Sequence, residues 1–265
     1  IPKRDWSSDV CSSDLGAETR EPQHCYVCKA KYTVIHHFYD QMCPECAAFN
    51  FAKRTELADL RGRVALLTGG RVKIGYQAGL KLLRSGARLL VTTRFPRDAA
   101  MRYAEEPDFA DWRDRLEIFG LDLRHTPSVE AFCREVLGTR DRLDYIVNNA
   151  CQTVRRPPEF YAHMMARERE MLEAGRATGP GAALVKTYAA GPANALLNSA
   201  ELSQVALLPE DSDPQAHLFP AGRLDQDLQQ IDLRGRNSWR LLLHEVSSVE
   251  LLEVQLVNEI GRAHV

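Results

Sequence analysis

The densest chemistry in the sequence sits in four cysteines. Cys25 and Cys28 form one Cys-x-x-Cys pair, and Cys43 and Cys46 form a second, Cys-Pro-Glu-Cys, a short distance on. Each pair can present two thiolates, and together they make a tetrahedral S4 set suited to zinc, with iron as the other thiolate-loving metal. Four protein ligands leave no open position, so the expected role is structural. His24, His36 and His37 read as surface or packing residues, while Tyr26, Val27, Tyr32, Val34, Ile35, Phe38 and Tyr39 are expected to pack around the metal. A second group begins with Thr68-Gly69-Gly70-Arg71-Val72-Lys73-Ile74-Gly75. Glycines there permit positive φ and close backbone approach. A strand before such a turn and a helix after it aim backbone N–H groups at a phosphate.

The elements that must position these residues are a strand over 63–67, a helix over 77–83 closed by Gly86, and a strand over 88–91. A charged, mostly helical stretch over 99–116, broken at Pro107, leads to a strand over 117–121. Thr126-Pro127 opens a helix with Val129, Phe132, Cys133, Val136 and Leu137 on one apolar face, and 144–147 reads as a fourth strand. Strands alternating with helices imply a parallel sheet covered on both faces. The composition, 45% hydrophobic and 26% charged, fits one or two globular domains. A formal charge of −2 gives no footprint for nucleic acid or an acidic membrane. No apolar run approaches a membrane span. Seven cysteines, four of them in metal-type pairs, point to a reducing, cytoplasmic setting rather than a disulfide framework.

The glycine turn resembles that of the short-chain dehydrogenase/reductase family, TGxxxGxG. Asp122-Leu123 after the third strand is similar to the family's adenine-contacting Asp. Leu143-Asp144-Tyr145-Ile146-Val147-Asn148-Asn149-Ala150 resembles its LDxxVNNAG segment. The resemblance implies an α/β fold: a partial Rossmann-type doubly wound parallel sheet, its first four strands, preceded by a small zinc-ribbon-like or treble-clef module. It also implies a dinucleotide held by Thr68, Gly69, Arg71, Lys73, Ile74, Gly75, Arg94, Asp122, Leu123, Asn149 and Ala150. Two positions depart from the family. Lys73 replaces the middle glycine, either adding charge near the phosphates or pointing to solvent, and Cys151 replaces the glycine of NNAG and reads as a buried packing residue. NAD sites of this type place an acid at the end of the second strand. Here that end is Thr92-Thr93-Arg94, with Arg71 in the turn, so NADP(H) is expected over NAD(H).

The expected function is hydride transfer to or from a small carbonyl or alcohol substrate. The full-length protein is a possible homo-oligomer, without nucleic-acid or membrane partners. The alternative is an NADP(H)-binding scaffold or sensor whose zinc module binds partners. The family's chemistry uses Tyr-x-x-x-Lys with a Ser and an Asn, yet no tyrosine here has lysine four residues later. Val257-Asn258 resembles the start of the family's Asn helix motif, which makes Asn258 a candidate for the catalytic network. The helix carrying it is expected from Ser248, with Val249, Leu252 and Leu256 on one face.

The two ends read as foreign. The DNA word GACGTGTGCTCTTCCGATCT, a sequencing adapter, encodes Asp9 to Asp14 and opens the Leu15 codon; its reverse complement after one G encodes 259–265. The expected organisation is 1–15 adapter, 16–56 zinc module, 57–151 dinucleotide-binding half, 152–236 insertion over the substrate side, 237–258 a helix leading to a missing catalytic half, and 259–265 adapter. Within the insertion and after it, Tyr161, His163 and Trp239 are possible substrate contacts, with packing the favoured role for each. A parental gene that reads continuously through the codons of 259–265 would contradict this organisation.

Overall fold

The structure, a computed structural model, describes residues 18–174, 181–188, 198–225 and 229–265. The expected adapter segment 1–15 lies outside the described residues. The chain divides into two compact units, Ile1–Ala58 and Asp59–Val265.

In the smaller unit, β1 (Glu18–His24) and β2 (Lys31–Val34) form an antiparallel hairpin, followed by α1 (Pro44–Lys53). Pro44 starts the helix at a position where a missing N–H costs nothing. The buried apolar set is Cys25, Tyr32, Cys43 and Ala47, too small a core to hold a fold alone. Tyr26 and Val27, expected to pack around the metal, are instead 69% and 52% exposed, and Val34 is exposed as well. Tyr26 and Val27 lie in the turn between the two strands, beside the buried Cys25. The aromatic cluster forms elsewhere, with His36, His37, Phe38 and Tyr39 gathered around Phe51 of α1.

The larger unit is built on β3 (Val64–Thr68), α2 (Lys73–Arg84), β4 (Arg88–Thr93), α3 (Pro96–Ala104), α4 (Phe109–Trp112), β5 (Leu116–Gly120), α5 (Thr126–Thr139) and β6 (Tyr145–Val147). Its sheet is parallel, in the order β6-β3-β4-β5, with one further strand beside β5. Successive side chains alternate between the two faces. Ala65, Leu67, Leu89, Val91 and Ile118 therefore pack with Leu80, Leu83, Tyr103 and Trp112 on one face. Leu66, Leu90 and Phe119 meet Val129, Phe132 and Val136 of α5 on the other. Leu137, placed on that apolar face by its spacing, is 81% exposed. It comes one position after Val136, rotated off the face by the helical period.

The described residues of 152–236 hold regular elements that the scattered Pro and Gly do not suggest. They contribute α6 (Ala162–Ala174), α7 (Ser199–Leu202) and a fifth parallel strand, β7 (Val185–Lys186), which covers the β5 edge that a four-stranded sheet would leave open. Phe160, Tyr161, Met164, Met165, Ala200 and Phe219 form a third cluster around Phe95 at the end of β4. Beyond it lie α8 (Ser248–Gln255), a π-helical turn (Leu256–Ile260) and α9 (Gly261–His264). The inward face of α8 carries Glu250 and Glu253, whereas Leu252, read as core-facing, is 62% exposed. Distant arginines explain the reversal. Glu253 accepts hydrogen bonds from Arg124 at 2.6 Å and Arg155 at 2.9 Å.

One contact ties α6 to the start of α3. Helix α3 has no side-chain cap of its own. Glu168 of α6 fills that role, accepting the backbone N–H groups of Arg97 and Asp98, each at 2.9 Å. Burial pushes its carboxyl above the ordinary value, and the N–H groups and Arg97 counter this. Replacing Glu168 with Ala removes the cap and leaves buried donors unpaired. The expected loss is about 2 kcal/mol. Urea unfolding of both proteins measures it, and an unchanged midpoint would contradict the assignment.

Candidate functional site: a cleft at the strand ends and a four-cysteine centre

In the smaller unit, the four cysteine sulfurs lie within 4.8 Å of one another. Cys28 Sγ and Cys43 Sγ are 3.7 Å apart. A tetrahedron with Zn–S bonds of about 2.3 Å has edges of roughly 3.8 Å, so the set fits the metal. Cys25 and Cys28 sit in the hairpin turn, where Lys29 closes the knuckle at φ 64°. Cys43 and Cys46 come from the start of α1, which makes the arrangement a treble clef rather than a ribbon of two hairpins. Burial pushes the Cys25 thiol up, but backbone N–H groups of Cys43, Cys28 and Val27 outweigh it and bring the thiol down to about 6. His36 is turned to another task, its Nδ1 accepting the N–H groups of Phe38 and Tyr39.

In the larger unit, a cleft of about 500 Å³ opens at the carboxyl ends of the strands. It gathers ten of the expected dinucleotide residues: Gly69, Arg71, Lys73, Ile74 and Gly75, with Arg94, Asp122, Leu123, Asn149 and Ala150. Thr68 is fully buried beneath them, its Oγ1 accepting the N–H of Ala150 at 3.0 Å. Asn149 holds the turn from one side, its Nδ2 donating to the carbonyls of Thr68 at 3.1 Å and Gly69 at 3.0 Å. Tyr103 holds it from the other, its hydroxyl donating to the Gly70 carbonyl at 2.9 Å.

Two glycines are required here. Gly69 has φ +72°, and a Cβ on Gly75 would lie 2.3 Å from the Gly69 carbonyl oxygen. Lys73 also has positive φ, 56°, in the place where the family has glycine. Its side chain is half exposed and reaches 3.8 Å from Asp225, so it neither points freely to solvent nor seals the turn. Helix α2 begins four residues earlier than its apolar spacing suggested, at Lys73, and its N-terminus lines the cleft with no acidic residue in the first turn. Uncapped N–H groups and the positive end of the helix favour an anion there.

The charges around the cleft are unequal. Arg71 is buried and committed, with a 2.7 Å contact to Asp98. Arg94 is partly exposed and bonded to the Tyr161 hydroxyl at 2.8 Å. Burial pushes the Asp122 carboxyl up, but the bonded Arg124 guanidinium overrides this and holds it below the ordinary carboxylate range. Cys151, read as buried packing, is exposed and lines the cleft, in the irregular chain that follows the end of β6 at Val147. Asn258 lies beside the cleft rather than in its wall. Its amide bonds both backbone groups of Gln152, each at 2.9 Å, from within the π-helical turn. Tyr161 and Trp239 line the cleft, Trp239 being 75% exposed, while His163 is not among its lining residues. The chain beyond residue 151 also supplies Gln152, Arg156 and Phe160 to the wall, which local spacing gave no means of finding.

Residues 63–174 match the family described as short chain dehydrogenase. The uncharacterized protein R665 of Acanthamoeba polyphaga mimivirus is 38% identical over 135 residues, covering 49% of this chain and 29% of that protein. Dehydrogenase/reductase SDR family member 13 of Bos taurus is 34% identical over 105 residues, covering 38% and 28%. Among solved structures, a metagenomic short-chain oxidoreductase in complex with NADP is 26% identical over 44% of this chain and 59% of its own, with a TM-score of 0.34. The matched stretches span less than a third of the length of these curated relatives. Over 63–174 the chain is similar to the short-chain dehydrogenase/reductase family, in keeping with its Thr-Gly turn and Asn-Asn-Ala strand end.

The turn geometry has two mutational consequences. Gly75→Ala forces apart the Gly69 carbonyl and the Asn149 amide and is expected to cost about 2 kcal/mol. Lys73→Gly relieves the left-handed backbone and is expected to gain up to about 1 kcal/mol, a rise of roughly 2–4 °C in Tm. Thermal unfolding reads both; a stabilised Gly75→Ala or a destabilised Lys73→Gly would show the turn to be built differently.

Proposed function

We propose that the cleft is a dinucleotide site for NADP(H) in preference to NAD(H), within the nucleotide-binding part of an oxidoreductase that acts on a carbonyl or alcohol. The observation that carries this reading is the convergence of the glycine turn, the α2 N-terminus, Asp122 and Asn149 on one cleft at the strand ends. The pyrophosphate would rest on N–H groups of 70–75, with Lys73 beside it. Asp122 and Leu123 would flank the adenine, and Arg94 would meet the 2′-phosphate. Asn149 and Ala150 brace the floor. When bound, the nicotinamide supplies or accepts hydride. The residues described here bind and orient it, and Asn258 fixes the backbone of Gln152 at the cleft wall.

The polypeptide itself lacks a Tyr-x-x-x-Lys pair and is proposed to bind cofactor without turnover. NADPH oxidation above background with a panel of ketones and aldehydes would contradict this. Titration with both cofactors tests the preference. NADPH is expected to bind at least tenfold more tightly than NADH, and equal or tighter NADH binding would overturn the reading.

The four-cysteine centre is proposed to hold one structural zinc ion in the 16–56 module. The sulfur spacing supports this, as does a core too small to fold without metal. Metal analysis is expected to give about one equivalent of zinc per chain, and chelation is expected to unfold the module. Less than half an equivalent of zinc or iron, or a module unchanged by chelator, would contradict the site. Among the described residues no helix is long and apolar enough to cross a membrane. A cytoplasmic setting is part of the proposal, as is a small-molecule substrate.

A further inference from the structure

We infer that the stretch after β6 sets cofactor selectivity, with Tyr161 as the positioning residue that aims Arg94 at the 2′-phosphate. The inference rests on the NADP(H) reading of the cleft and adds to it a residue outside the family's nucleotide motifs.

Two arginines stand near the end of β4, and their environments separate them. Arg71 is 8% exposed at its side chain and contacts Asp98 at 2.7 Å; Asp98 also receives Arg102 at 2.9 Å. The Arg71 guanidinium is held inside the protein by its Asp98 contact. Arg94 has no carboxylate within ion-pair distance among the described residues, and it lines the cleft. A guanidinium has five N–H donors in a fixed plane. One Nη of Arg94 donates to the Tyr161 hydroxyl, which leaves donors for an incoming phosphate.

Tyr161 also supports the guanidinium with its ring, whose centroid lies 4.7 Å from the Arg94 Cζ. The ring itself is fixed. It is 9% exposed and packs against Phe95 at 5.5 Å and Phe160 at 4.9 Å. The backbone of Arg94 is gripped from the same stretch, because Ser199 Oγ of α7 donates to its carbonyl at 2.9 Å. A free arginine side chain carries about 2 kcal/mol of rotamer entropy. Ordering it before the cofactor arrives removes part of that cost from phosphate binding. The benefit applies only to a ligand that carries the 2′-phosphate, so Tyr161 acts on selectivity and not on dinucleotide binding in general.

The test compares the full chain with Arg94→Ala and Tyr161→Phe by titrating NADPH and NADH. Arg94→Ala is expected to weaken NADPH tenfold or more and leave NADH within twofold. Tyr161→Phe, which keeps the ring and its packing, is expected to weaken NADPH threefold to tenfold with NADH again unchanged. If Arg94→Ala affects both cofactors equally, the NADP(H) reading fails and this inference with it. If Arg94→Ala is selective but Tyr161→Phe is silent or affects both cofactors equally, the reading stands and the inference is overturned. Should Tyr161→Phe fail to fold, the Tyr161 ring resonances of the native chain decide. They are expected to move with adenosine 2′-monophosphate and not with adenosine 5′-monophosphate; no movement with either overturns the inference.

Discussion

The Asn149 side-chain amide is the constraint on which the larger unit's cleft depends. By donating to the carbonyls of Thr68 and Gly69, it joins the end of β6 to the turn after β3. Those carbonyls would otherwise face the cleft and repel an anion. With them turned to Asn149, and with the Gly69 N–H given to the Thr92 carbonyl at 2.8 Å, the N–H groups of the α2 N-terminus are left to face the cleft. Glycine at 75 is a consequence of the same contact, since any side chain there would fall 2.4 Å from Asn149 Nδ2. Thr68 completes the joint by accepting the N–H of Ala150.

Around this joint, buried charge fixes the elements that follow β6. Asp122 at the end of β5 binds Arg124, Arg124 binds Glu253 of α8, and Glu253 binds Arg155, which in turn binds Asp211. Removing one member of such a chain would strand its neighbours in a low-dielectric interior, so the elements it connects are held in one arrangement. A second group, Asp98 with Arg71 and Arg102, adjoins the Glu168 cap on α3. Described residues of 152–236 are thus anchored by charge through Arg155, Asp211 and Glu168, and by aromatic packing on Phe95.

The parts of this architecture that were legible in the sequence are those whose signal is local. Cysteine spacing marks the four-sulfur centre because each pair lies on one turn. Glycine spacing marks the phosphate-type turn because positive φ and close approach act on single residues. The strand–helix alternation marks the sheet because both of its faces are buried. Signals that depend on distant partners were misread. Glu250 and Glu253 face inward on α8 because arginines and a serine far away in sequence receive them, and the leucines beside them face out. The strand β7 is two residues long and carries no periodicity to detect. Arg71, expected with Arg94 on the 2′-phosphate side, contacts Asp98 of α3, a partner that local spacing does not reveal. Lys73 could be marked as a departure from glycine, but only the backbone reveals that it keeps glycine's conformation.

The central claim is that the residues gathered at the strand ends form one dinucleotide site. Backbone amide resonances of the labelled chain, followed as NADPH is added, test it most directly. The account predicts the largest changes at 69–75, at Arg94, at Asp122 and Leu123, and at 149–152. An absence of change at millimolar NADPH, or changes centred away from the glycine turn, would contradict it.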